Sequence, residues 1–110
     1  FRADYRGNRA GVAIRNAYNL PAGGWFQGLQ PYAVMRFGGS ETEFRTMVLD
    51  NVGPDVAWAC EGSLAYDGEP GLEIEVVDYY DNSVVATAVL TLKDFYRGFE
   101  GDVPLTAAKK

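Results

Sequence analysis

Apolar and polar residues alternate along much of this chain with a period of two. Val56, Trp58, Cys60, Gly62, Leu64 and Tyr66 fall on one face of an extended segment, and Ala57, Ala59, Glu61, Ser63 and Ala65 on the other. Leu72, Ile74 and Val76 alternate with Glu73, Glu75 and Val77, and Val12 and Ile14 with Ala13 and Arg15. "YAVMRF" (residues 32–37), "FRTMVL" (44–49) and "VVATAVLTL" (84–92) are rich in strand formers. Turn-forming clusters separate these runs: "GGSETE", "DNVGPD", "DGEPG" and "YDNS". Short strands at this spacing, with no long amphipathic helix between them, predict an all-β fold. The expected form is an antiparallel β-sandwich of about seven to eight strands. "FRADY" (1–5) and "DVPLT" (102–106) read as edge strands, and "LKDFYRG" (92–98) has the length for a helical turn.

Alternation also sorts the connections. If successive strands run up and down, every second connection lies at the same end of the sandwich. "LPAGGWFQGLQ" (20–30), "DNVGPD" (50–55) and "DYYDNS" (78–83) then share one end, and the polar "GGSETE" and "DGEPG" share the other. The first group holds Trp25, Phe26, Leu29, Tyr79 and Tyr80. Binding residues commonly sit on loops presented by a rigid scaffold, so this end is the expected working face.

Composition narrows the classes of function. The chain has 110 residues, 47% hydrophobic and 23% charged, which suits one globular domain over residues 1–110. It opens on Phe1 and ends in Ala107-Ala108-Lys109-Lys110, which reads as a segment of a longer protein. The net charge of −5 disfavours nucleic acid and anionic membranes as electrostatic partners. The single Cys60 excludes an internal disulfide, and no Asn-x-Ser/Thr acceptor is present, which together favour an intracellular address. With no histidine and one cysteine there is no His-based triad and no zinc site. No phosphate loop or nucleophile elbow occurs, so the segment is not expected to be an enzyme and implies no cofactor.

The runs "VAIRNAYNLP", "QPYAVMRFG", "EFRTMVL", "GPDVAW", "LEIEVVDYYD" and "VVATAVLTL" together resemble a C2 domain, a family that includes calcium- and lipid-binding modules. Ala17 and Leu20, Pro31-Tyr32, Thr46 after Arg45, Pro54, Trp58 and the segment 72–78 match that family's pattern in order and spacing. The resemblance spans about residues 12–92 and implies a C2-like Greek-key sandwich. It also shows where this chain departs. First-loop positions that carry aspartates in calcium-binding members fall on Gly24 and Gln30. In the third loop Asp78 matches, Tyr80 stands at the next aspartate position, and the last falls on Ser83 or is displaced to Asp81. Calcium takes six to eight oxygen ligands, so Asp78 and Asp81 alone make a weak candidate site, and no metal is expected. The basic patch that some members carry after the first loop reduces here to Arg36 and Arg45, with Glu41 and Glu43 between them.

Individual residues admit bland readings as well. Trp25 and Phe26 form either an exposed apolar tip or a pair folded inward by the flexible Gly23, Gly24 and Gly28. Tyr79 and Tyr80 fit edge packing or partner contact, and Asp78 and Asp81 fit turn caps. Trp58 and Cys60 read as core. These features imply a non-catalytic, calcium-independent C2-like docking module for a protein partner or for the rest of the parent chain. Its interaction tip is Trp25, Phe26, Leu29, Tyr79 and Tyr80. The alternative is a peripheral membrane-docking domain that inserts Trp25 and Phe26 at the bilayer interface. A third reading is a packing domain of a larger enzyme.

Overall fold

The period-two segments fold as strands, because alternation lets one face of each be buried while the other meets solvent. A computed structural model of the chain describes residues 2–6, 9–17, 30–38, 42–49, 55–66, 71–80, 82–91 and 98–107. Among these lie β1 (Arg2–Arg6), β2 (Arg9–Ala17), β3 (Pro31–Phe37), β4 (Phe44–Arg45), β5 (Val56–Ala65), β6 (Gly71–Asp78), β7 (Ser83–Thr91), β8 (Phe99–Glu100) and β9 (Thr106–Ala107). They form a four-stranded sheet in the order β5-β2-β1-β8 and a five-stranded sheet in the order β4-β3-β6-β7-β9. Every pairing among them is antiparallel.

The inward faces meet in one core. The first sheet contributes Val12, Ile14, Val56, Trp58 and Leu64, and the second Met35, Phe37, Leu72, Ile74, Val76 and Leu90. Each such side chain contributes roughly 1.5–3 kcal/mol on burial. In β5 the predicted alternation holds along the strand: Val56, Trp58 and Leu64 are buried, while Ala57, Ala59, Glu61, Ser63 and Ala65 are exposed. Phe44 reaches across from β4 and packs over Gly62 of β5. Phe37 and Tyr66 close the far end with ring centroids 4.7 Å apart.

Two expectations change. Residues 2–6 of the opening segment form no edge: β1 lies between β2 and β8, while β9 takes the edge beside β7. Of "FRTMVL" only Phe44 and Arg45 join the ladder. Between β2 and β5, Ile14 pairs with Cys60 but Asn16 with Ala57, so β5 carries one extra residue. Ala59 sits there at φ 50°, and Arg15 and Asn16 are exposed in succession. The helical turn expected over 92–98 falls mainly on residues outside those described.

Candidate functional site

Strand register gathers one end of the sandwich. Ala17 at the end of β2 pairs with Val56 at the start of β5. Pro31 at the start of β3 pairs with Asp78 at the end of β6, and Asp78 with Ser83 at the start of β7. The Pro31 carbonyl accepts the Leu49 N–H at 3.1 Å and the Trp58 indole N–H at 3.2 Å. Trp58 is thus core, as its position in the pattern implied, and its one polar atom ties β5 to β3. The connections 18–30, 50–55 and 79–82 therefore leave from the same end, as alternation predicts.

Asp78 organises the turn between β6 and β7. It is buried, and its Oδ1 accepts the backbone N–H of Gln30 at 3.1 Å and of Tyr80 at 3.2 Å. The Tyr79 N–H donates to the Gln30 carbonyl at 2.9 Å, and the Asn82 N–H to the Asp78 carbonyl at 2.8 Å. Asn82 closes the turn at φ 62°, a left-handed conformation that asparagine tolerates. So anchored, the turn displays Tyr79 and Tyr80, each 61% exposed.

Beside them stands a ledge that the sequence pattern did not single out. Opposite β3, the Thr46 N–H donates to the Ala33 carbonyl at 2.9 Å, and Leu49 takes the next bond, to Pro31. Three steps on this segment oppose two on β3, so Met47 and Val48 are pushed outward and exposed. The Thr46 hydroxyl accepts the Ala33 N–H at 2.9 Å in place of a ladder carbonyl, and donates to the Met47 carbonyl. The only sequence trace of this ledge is the apolar Met-Val-Leu run, which reads equally well as strand.

On the outer face of the five-stranded sheet, Tyr32, Val34 and Val77 are buried in a second apolar cluster with Val84. The Tyr79 ring meets Tyr32 edge-on, with centroids 6.3 Å apart, and the Arg45 guanidinium lies 5.7 Å from the Tyr32 centroid. The hydrogen bond and charge of Glu43 hold Arg45 above its ordinary pKa range. Trp25, Phe26, Leu29 and Asp81 lie outside the described residues.

No protein-family model and no curated protein sequence matches the chain. Solved structures do. A RIM C2 domain from Drosophila aligns with a TM-score of 0.75 and 15% identity, over 98% of this chain and 94% of that one. This chain has the C2 fold. A C2 domain of plant Extended Synaptotagmin 1 aligns at a TM-score of 0.69 and 19% identity, over 79% of this chain and 70% of that one. Human GIVD cytosolic phospholipase A2 aligns at 0.68 and 14% identity over 78% of this chain, which amounts to 14% of the enzyme's own length.

Within this C2 fold, pairing and hydrogen bonds bring Gln30, Asp78, Tyr80 and Ser83 together at the loop end. The Asp78 Oδ1 is occupied there by backbone N–H groups. Among the described residues no three acidic, cysteine or histidine side chains converge as metal ligands. Arg36 and Arg45, the residues of the reduced basic patch, both meet carboxylates. Arg36 faces Glu43 at 3.8 Å and Glu73 at 3.7 Å and is hydrogen-bonded to Glu75, and Arg45 is hydrogen-bonded to Glu43. Cys60 is half-buried, packs against the core, and directs its sulfur at the Trp58 carbonyl at 3.5 Å.

Proposed function

We propose that this C2 fold serves as a non-catalytic, calcium-independent docking module, one unit spanning residues 1–110 of a longer intracellular protein. Its loop end binds a protein partner or another part of the parent chain. The observation that carries this reading is the pair Tyr79 and Tyr80, side by side and each 61% exposed on a turn that Asp78 fixes from beneath. Tyrosine on a rigid support is well suited to anchoring an interface, because it offers large contact area at a small cost in side-chain entropy. Met47 and Val48 are also exposed, and Trp25, Phe26 and Leu29 belong to the same end by sequence.

The electrostatics support a protein rather than a lipid surface. Polybasic segments gain about 1 kcal/mol per lysine or arginine near an anionic leaflet. Here Arg36 and Arg45 face glutamates, and the chain carries a net charge of −5. Calcium independence rests on Asp78 being engaged by the turn and on Gln30 and Tyr80 standing where calcium-binding members carry carboxylates.

The test compares the wild-type parent protein with its Tyr79→Ser/Tyr80→Ser variant by proximity labelling in cells, alongside co-sedimentation of the isolated chain with phosphatidylserine vesicles. The reading expects specific protein neighbours to be lost in the variant, with no calcium-dependent sedimentation of either form. Unchanged neighbours, or sedimentation abolished by the double substitution, would overturn it, the latter in favour of membrane docking.

A further inference from the structure

We infer that Tyr79 is a phosphorylation site whose phosphate is received by Arg45 of the same domain. Tyr79 has the required access: it is 61% exposed and stands on a tight turn at the end of the sandwich. Its ring also leans onto the outer face of the five-stranded sheet, edge-on to Tyr32. Arg45 occupies the same face from the other side, its guanidinium 5.7 Å from the Tyr32 centroid. The register explains this meeting. Tyr32 pairs with Val77, two residues before Tyr79, and Arg45 pairs with Val34, two residues after Tyr32. All three side chains therefore converge on one strip of the sheet.

Among the described residues, Arg45 is the cation that shares the Tyr32 ring with Tyr79. Its side chain is 61% exposed, and among the described residues its ion pair is to Glu43. A phosphate presents about two negative charges and three acceptor oxygens, and so competes well against a single carboxylate for a guanidinium. Tyr80 is equally exposed, but it is the Tyr79 ring that meets Tyr32, over which Arg45 lies. In the modification itself, the Tyr79 phenolic oxygen bonds to the γ-phosphorus of ATP held by a tyrosine kinase. The bond from that phosphorus to ADP breaks, ADP leaves, and the phenolic proton passes to the kinase's base. Tyr79 would then exchange an apolar contact for an acidic one, and Arg45 would exchange Glu43 for the phosphate. The assignment shares Tyr79 with the proposed docking surface but does not depend on the docking role.

The test treats the folded chain with a purified tyrosine kinase domain and magnesium-ATP, and maps the modified residue by peptide mass spectrometry. Phosphate is expected at Tyr79 ahead of the other tyrosines. It should be lost in Tyr79→Phe and kept in Tyr80→Phe. Titration of the product by phosphorus NMR then reads the partner. A free phosphotyrosine has its second ionisation at about pH 6. Pairing with Arg45 favours the dianion, so the midpoint should lie below that value in the folded chain and return towards it in Arg45→Gln. Incorporation only after denaturation, or chiefly at another tyrosine, overturns the site. A midpoint identical in wild type and Arg45→Gln overturns the receiving role of Arg45.

Discussion

The carboxylate of Asp78 accepts the backbone N–H of Gln30 at 3.1 Å, joining the segment that enters β3 to the turn that leaves β6. The same oxygen holds the N–H of Tyr80, so one buried acceptor satisfies two backbone donors. Removing it in Asp78→Ala takes both bonds away and should cost about 1–3 kcal/mol. Asp78→Asn keeps an oxygen at that position and should cost less. Urea denaturation of the two variants checks the order. Equal midpoints would show that the carboxylate does not anchor the turn.

Calcium should leave this domain's stability unchanged. A ligand that binds only the native state adds about 2.7 kcal/mol at a hundredfold excess over its dissociation constant. Thermal melts in millimolar calcium and in chelator should therefore nearly coincide. A rise of several degrees that Asp78→Asn abolishes would contradict the role of Asp78 as a turn anchor alone.

Thr46 completes a ladder that the backbone leaves open. Its hydroxyl is the acceptor for the buried N–H of Ala33. Thr46→Val matches the shape but removes the acceptor, and should cost about 1–3 kcal/mol, while Thr46→Ser should restore most of that. Hydrogen exchange at the Ala33 amide gives a local reading: it should speed up in the valine variant and recover in the serine variant.

Gly62 is required for space. A Cβ there would stand 2.6 Å from Cδ2 and 2.9 Å from Cζ of the Phe44 ring. Gly62→Ala should therefore cost about 1–3 kcal/mol by overpacking. Combining it with Phe44→Leu should recover part of the loss. A double-mutant cycle in denaturant measures this, and strict additivity would mean that the two residues do not compete for the same volume.

If Trp25 and Phe26 form an exposed tip, replacing both with serine should leave stability within about 0.5 kcal/mol, as for ordinary surface changes. An exposed Trp25, read with Trp58→Phe in place, emits red-shifted light and is quenched by iodide. A loss of roughly 3–5 kcal/mol per residue with blue-shifted emission would assign the pair to the core.

The strands that carry most of the core are legible in the residue pattern, because alternation is a local property. Each residue of β5 and β6 declares its face through its own polarity and that of its neighbours. The loop end followed from the same logic, since up-and-down strands send every second connection to one side. Other features depended on partners that the pattern does not name. Glu73 and Glu75 alternate with the apolar positions of β6, and they lie against Arg36, which a different strand supplies. Val77 sits on the polar face of β6 and is nevertheless buried, because Tyr32 and Val84 come to it across the sheet. Met47 and Val48 read as strand residues and are exposed, because Thr46 takes over the ladder with its side chain. Asp78 read as a turn cap or as a weak metal candidate, and in the fold its Oδ1 accepts the N–H of Gln30, 48 residues away in sequence. In each of these cases except the Thr46 ledge, the deciding partner lies far along the chain. A pattern records what a residue is and which way it faces, but only the folded sheet records what it meets.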